Sequence, residues 1–264
     1  MPASVTFSLP DIVLVSGAAS GLGLELCTLL LAAGVETVGV DLQGAPPELA
    51  RDASYRHVAG DVAAEATWAS ATQGLAHDGA RSVGLITSAA ILDVGTVLDL
   101  TPALVERAFK ANVLGTALAM KAVLPLMQAA GGGQIVAVAS VNATLAEQQL
   151  GIYNATKAAV RQLARTVAMD HARQGIRVNV LSPGPMMAGL FKRHLDSATD
   201  RDQFLATRSA RQPNGRILEA REVAQAALFL LSGGAVALNG ADLVADGGLT
   251  ASFDFRTGAE GASV

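Results

Sequence analysis

The stretch Ile12-Val13-Leu14-Val15-Ser16-Gly17-Ala18-Ala19-Ser20-Gly21-Leu22-Gly23 carries an aliphatic run straight into a turn with the glycine spacing G-x-x-x-G-x-G. A helical pattern follows over residues 25–33 and is closed by Gly34. Strand, glycine turn and helix in that order make a β–turn–α unit suited to a phosphate. The glycines let the backbone bend tightly and approach a pyrophosphate, and the helix N-terminus offers unpaired N–H donors at the positive end of its dipole.

The alternation continues outward from this unit. Residues 37–40, 55–60, 83–87, 134–139, 176–181 and 241–245 read as further strands. Between them, 65–76, 152–174 and 221–231 carry helical patterns. Thr101 reads as an N-cap with Pro102 at the first helical position, opening two helical segments that run to about residue 130. Repeated β-then-α units predict an α/β fold of Rossmann type, a doubly wound parallel sheet of about seven strands with helices on both faces. No repeat, linker or composition break divides residues 1–264, so one domain is expected, with a loosely held polar tail after residue 249.

Composition agrees. The 264 residues are 51% hydrophobic and 16% charged but only 4% aromatic, so the core must be aliphatic, as in parallel sheets apolar on both faces. A formal charge of -4 with no Lys/Arg run argues against nucleic acid as a partner. The single cysteine, Cys27, excludes an internal disulfide and sits in an apolar helical stretch as a small buried hydrophobe. Four scattered histidines show no ligand-like pairing, and no metal site is expected. The N-terminus has no secretory pattern, and the longest uncharged stretch, 122–146, is broken by Pro125, a glycine triplet and Asn142. No membrane span and a cytoplasmic location are the expectation.

Asp41 closes the second strand, where a carboxylate can accept from the ribose hydroxyls of an adenosine and would repel a 2′-phosphate. Ser20 and Leu42 stand where a cation would be needed, which favours NAD over NADP. Tyr153 and Lys157 lie four apart on one helix and share a face. A nearby ammonium favours phenolate and makes proton transfer by the phenol feasible near neutral pH. Ser140, at the end of the fifth strand, can face the same cleft.

Together these motifs resemble the compact single-domain type of the short-chain dehydrogenase/reductase family, nearly from end to end. The matching positions are Gly17, Gly21 and Gly23, Asp61-Val62, Asn112, Ser140, Tyr153, Lys157, Pro183-Gly184 and Asp246-Gly247-Gly248. The resemblance implies Tyr153 as general acid/base, Ser140 holding the substrate oxygen, Lys157 tuning the tyrosine and binding the nicotinamide ribose, and Asn112 supporting a water-mediated proton relay to Lys157. It implies an NAD site built from Gly17, Ser20, Gly21, Leu22, Gly23, Asp41, Leu42, Asp61, Val62, Ser88, Ala89, Ala90, Tyr153, Lys157, Pro183, Gly184 and Met186. The family's Asn-Asn-Ala-Gly after the fourth strand is Thr87-Ser88-Ala89-Ala90 here, and Ala188 replaces a threonine.

A substrate lid is implied near 185–211, with Met187 and Leu190 in it and Asn142 and Gln148 opposite as substrate contacts. A homotetramer or homodimer is implied, packed through helices near 102–129 and 152–174; Ala155, Ala158, Ala159, Ala164 and Ala168 would permit close approach. The expected reaction is interconversion of a secondary alcohol and a ketone. The alternatives are an enoyl-type C=C reductase and an NAD-binding sensor without turnover.

Overall fold

The structure, a computed structural model, describes residues 6–75 and 81–251. The tail from residue 252 and the last residue of the expected 65–76 helix lie outside the described residues. Seven strands form one sheet in the order β3-β2-β1-β4-β5-β6-β7, every neighbouring pair parallel. They are β1 (Ile12–Ser16), β2 (Glu36–Asp41), β3 (Tyr55–Ala59), β4 (Val83–Thr87), β5 (Gly133–Val138), β6 (Ile176–Pro183) and β7 (Asp242–Ala245). The helices are α1 (Gly21–Ala32), α2 (Glu65–Thr72), α3 (Pro102–Phe109), α4 (Gly115–Ala129), α5 (Gly151–His171), α6 (Gly189–Ser197), α7 (Arg201–Ala210) and α8 (Ala220–Leu231).

Strand alternation splits the core in two. Ile12 and Leu14 of β1 face Trp68, Met120 and Val160 on the α2–α4–α5 side, while Val13 and Val15 face Leu26, Cys27 and Val223 on the α1–α8 side. Trp68 is the only aromatic among the described buried residues of the two layers, and β1 and β4 are buried along their whole length. Burial pushes the Cys27 thiol up to about 12, consistent with a packing role.

The element boundaries carry information. Thr101 accepts from Leu104 N and caps α3 with Pro102 in its first turn, as the sequence suggests. The first helix starts at Gly21 rather than at residue 25, because the glycine turn itself winds into α1 from Ser20. A π-turn, Lys110–Leu114, joins α3 to α4. Helices α6 and α7 fill the expected lid and have no counterpart in the sequence pattern, although Asp200 caps α7 by accepting from Gln203 N. On α5, Ala164 and Ala168 turn inward to the core, so they are not available to a partner subunit; Ala155 and Ala158 remain exposed.

The β1–α1 turn is the tightest place in the fold. Gly17 has φ 73°, and a Cβ there would stand 2.8 Å from Ala89 N. A Cβ on Gly23 would stand 2.0 Å from the Gly17 carbonyl oxygen. Both obstacles are backbone, which cannot swing aside. Gly23→Ala is therefore expected to cost about 3 kcal/mol of unfolding free energy, at the upper end for overpacking. Urea denaturation checks this; a loss below about 0.5 kcal/mol would mean that the turn is slack.

Candidate active site

In a parallel sheet covered on both faces, the exposed backbone and the polar strand ends gather along the carboxyl edge. The strand order reverses between β1 and β4, where neighbouring connections diverge to opposite faces. There a cleft of about 1330 Å³ runs from Gly17 and Asp41 to α6 and α7.

One end is built by the glycine turn. Ser20, Gly21 and Leu22 line it, while Gly23 lies beneath, packed on Gly17. Ser20 begins α1 without a side-chain cap, and the first turn holds no acidic residue, so its N–H groups are left for an anion. The Asp41 carboxylate accepts from Ala19 N and Gln43 N, both at 3.0 Å. Those bonds aim it across the turn and leave lone pairs for another donor. Leu42 beside it is exposed. Asp61 and Val62 line the far wall. Asp61 accepts from Ala63 N and pairs with Lys110 at 3.3 Å; the backbone bond first, then Lys110, holds its carboxyl below the usual range.

Ser88, Ala89 and Ala90 form the wall after β4. The sequence puts no amide side chain here, and the structure shows what replaces it: Ser16 Oγ accepts from Ser88 N at 3.1 Å and Ala89 N at 3.2 Å. Pro183, Gly184 and Met186 line the middle of the cleft. Gly184 packs so closely on Asp246 that a Cβ would stand 2.8 Å from Asp246 Cβ. Asp246 in turn accepts from Gly248 N, Thr250 N and Thr250 Oγ1, which accounts for the Asp246-Gly247-Gly248 motif as a fastening of this wall.

Ser140, Tyr153 and Lys157 meet in the cleft. Ser140 follows β5 in extended conformation, its Oγ accepting from Asn142 N at 3.1 Å, which leaves the O–H proton free to donate. Lys157 is buried, donates from Nζ to the Val138 carbonyl at 2.8 Å, and lies 5.7 Å from the centre of the Tyr153 ring. Burial pushes the Tyr153 phenol up to about 12, opposed by the Ser140 hydroxyl and reinforced by the Glu147 charge. Burial likewise draws Lys157 down to about 8. Burial is the largest influence on both groups, and the Ser140 hydroxyl is a neighbour that favours the phenolate.

Asn112 is fully buried in the π-turn and does not line the cleft. Its Oδ1 accepts from Ile91 N at 2.8 Å, and its Nδ2 donates to Ile91 O and to Thr156 Oγ1, each at 3.0 Å. It clamps the segment after β4 onto α5, one residue from Lys157.

Asn142, Gln148 and Leu190 line the other end of the cleft; Met187 does not, its N–H being held by Leu218 O. Glu147, Phe204, Thr207, Arg208 and Arg211, none of them marked by a sequence motif, also line it. Glu147 Oε1 pairs with Arg208 at 2.9 Å, and Oε2 accepts from Asn142 Nδ2 at 3.1 Å. The signal for α7 was its 204–207–208–211 spacing, which places these residues on one face. Gln149, just before α5, holds φ 63°, a left-handed conformation of the kind found where a site over-determines the backbone.

Among known proteins, the family model described as enoyl-(acyl carrier protein) reductase matches residues 17–250. The chain is 36% identical over 250 residues to cis-4-hydroxycyclohexanecarboxylate dehydrogenase of Sinomonas cyclohexanicum, covering 91% of this chain and 96% of that one. It is 33% identical to cyclopentanol dehydrogenase of Comamonas testosteroni, covering 91% and 97%. The chain belongs to the short-chain dehydrogenase/reductase family. A solved short-chain member, gluconate 5-dehydrogenase of Burkholderia cenocepacia in complex with NADP and tartrate, superposes with TM-score 0.82 at 29% identity, covering 92% of this chain and 96% of that one. The named relatives are dehydrogenases, which supports an oxidoreductase using a nicotinamide cofactor. Among the described residues, no helix is long and apolar enough to cross a membrane.

The buried lysine makes stability depend on pH with a definite sign. Below about pH 8 the folded and unfolded chains both carry the Lys157 proton. From about 8 towards its ordinary 10.5 the folded chain releases it first, so the unfolded state binds more protons and stability rises with pH. Relative to Lys157→Met, the wild-type protein should gain about 2 to 3 kcal/mol between pH 8 and 10. Denaturant unfolding of both at the two pH values measures it; parallel pH curves would place the lysine in water.

Proposed function

We propose that this short-chain dehydrogenase/reductase interconverts a secondary alcohol and a ketone with NAD(H), Tyr153 exchanging the proton. The observation that carries this is the buried meeting of the Ser140 and Tyr153 hydroxyls beside the Lys157 ammonium, in one cleft with a glycine turn suited to a pyrophosphate. The residues fit such a cofactor. The close glycine packing, the uncapped α1 N-terminus and Asp41 suit pyrophosphate and adenosine ribose, with Asp61 and Val62 beside the adenine. Pro183, Gly184 and Met186 would lie against the nicotinamide, which when bound supplies the hydride chemistry.

The chain's own residues handle the proton. Ser140, with its acceptor side engaged by Asn142 N, donates its O–H to the substrate oxygen. In oxidation Tyr153 takes the proton of the substrate hydroxyl as the carbinol carbon loses hydride; in reduction it returns that proton. Lys157, fixed by one N–H to Val138 O, keeps two donors for the nicotinamide ribose and, as a group near pH 8, for passing the proton onward. Asn112 we assign to positioning, through Ile91 and Thr156. Assembly as a homotetramer or homodimer would use the exposed faces of α3, α4 and α5.

Cyclic alcohols are the favoured class, since the relatives named above act on hydroxycyclohexanecarboxylate and cyclopentanol. The description of the matching family model raises the C=C reductase as a second reading. The serine hydroxyl beside the tyrosine favours a carbonyl oxygen instead, and an enone assayed for alkene reduction separates the two.

The test is a panel of secondary alcohols followed by NADH absorbance. Wild type should turn over at least one, and Tyr153→Phe should lose about 100-fold or more, as removal of a general base does. Equal rates in both would sink the assignment. NAD should also bind at least about tenfold more tightly than NADP, the equivalent of about 1.4 kcal/mol, because no cation lines the cleft at Asp41. Asp41→Ala should narrow that gap, and equal binding in wild type would remove Asp41 from cofactor choice.

A further inference from the structure

The two ends of the cleft differ in charge. Asp41 and Asp61 line the end assigned to adenosine, where Lys110 pairs with Asp61 without itself lining the cleft. The end formed by α6, α7 and the segment after β5 holds Arg193, Arg208 and Arg211, with Glu147 as its sole carboxylate. Three arginines against one glutamate leave a net positive charge in a protein whose formal charge is -4, so the basic end does not reflect a basic chain.

The glutamate is occupied. Oε1 is held by Arg208 and Oε2 by Asn142, so neither oxygen presents a free carboxylate to a ligand. The same contacts prepare Arg208. Its guanidinium stacks 5.3 Å from the centre of the Phe204 ring and spends Nη1 on Glu147, leaving further N–H donors on a fixed plane. Arg211 follows on the same face and has no ion-pair partner among the described residues. A planar, pre-oriented guanidinium beside a second unpaired one matches the oxygens of a small organic anion.

We infer that the substrate is a secondary alcohol bearing a small anionic head, a carboxylate or sulfonate, received by Arg211 and Arg208 while its carbinol lies at Tyr153. This rests on the dehydrogenase reading and narrows its substrate class. The apolar Leu190 and Phe191 of α6, which line the same end beside the arginines, suit the hydrocarbon body that joins alcohol to anion.

The full-length protein with NAD is assayed on 4-hydroxycyclohexanecarboxylate, on its sulfonate analogue and on its methyl ester. At least one anion should exceed the ester about tenfold in kcat/KM, and whichever anion does so identifies the head. Arg211→Gln should cut that preference about fivefold or more, mainly through KM, and so should added salt. Arg211 is exposed, and an unchanged melting temperature shows that the variant folds. An ester used as well as both anions overturns the anionic head and leaves the dehydrogenase reading standing. If no alcohol is oxidised, the dehydrogenase reading fails separately, and calorimetry with cyclohexanecarboxylate decides the arginine site. Binding that weakens in Arg211→Gln supports it, and no binding to wild type overturns it.

Discussion

The hydrogen bond from Lys157 Nζ to the Val138 carbonyl, 2.8 Å long and buried, joins the helix that carries the phenol to the strand that carries the serine. A long helix packed on a sheet through alanines and valines can slide by fractions of an ångström at small cost. A charged donor committed to one strand-end carbonyl removes that freedom. Tyr153 then has one place relative to Ser140, and Asn112 secures the same helix from the other side through Thr156. Burial is the condition for this precision, and it also draws the lysine down and pushes the tyrosine up. The site therefore holds Tyr153 as a neutral phenol beside a lysine whose proton is loosened to about 8, within reach of exchange near neutral pH.

Much of this was legible in the sequence because it follows from periodicity and glycine geometry. The aliphatic runs of β1, β4 and β5 read as strands since they are buried on both faces, and the glycine turn reads as a turn since Gly23 leaves room for nothing but hydrogen beside Gly17. Gly17, Asp41, Ser140, Tyr153 and Lys157 converge because all lie at or just beyond the carboxyl ends of strands or on the helix facing them. The topology of a parallel sheet collects such positions whatever their spacing in the chain.

What escaped the sequence depends on tertiary environment. Helices α6 and α7 are short and polar, and they hold their place by packing over the cleft. The Glu147–Arg208 pair spans two elements that no local pattern connects. The spacing of Tyr153 and Lys157 shows that they share a face, but the direction of their shifts depends on how completely the surrounding protein excludes water. Ala164 and Ala168 read as subunit contacts, since a small side chain on a helix says nothing of which face meets the sheet; the register of α5 on the sheet assigns them to the core.

In the proposed alcohol oxidation, proton removal by a buried group is the central event. Its most direct test is the pH dependence of kcat/KM for oxidation of an accepted secondary alcohol, from pH 6 to 10. The expected profile has a limb rising about tenfold per pH unit as the Tyr153–Lys157 group gives up its proton, levelling only at alkaline pH. A rate independent of pH across that range would contradict it.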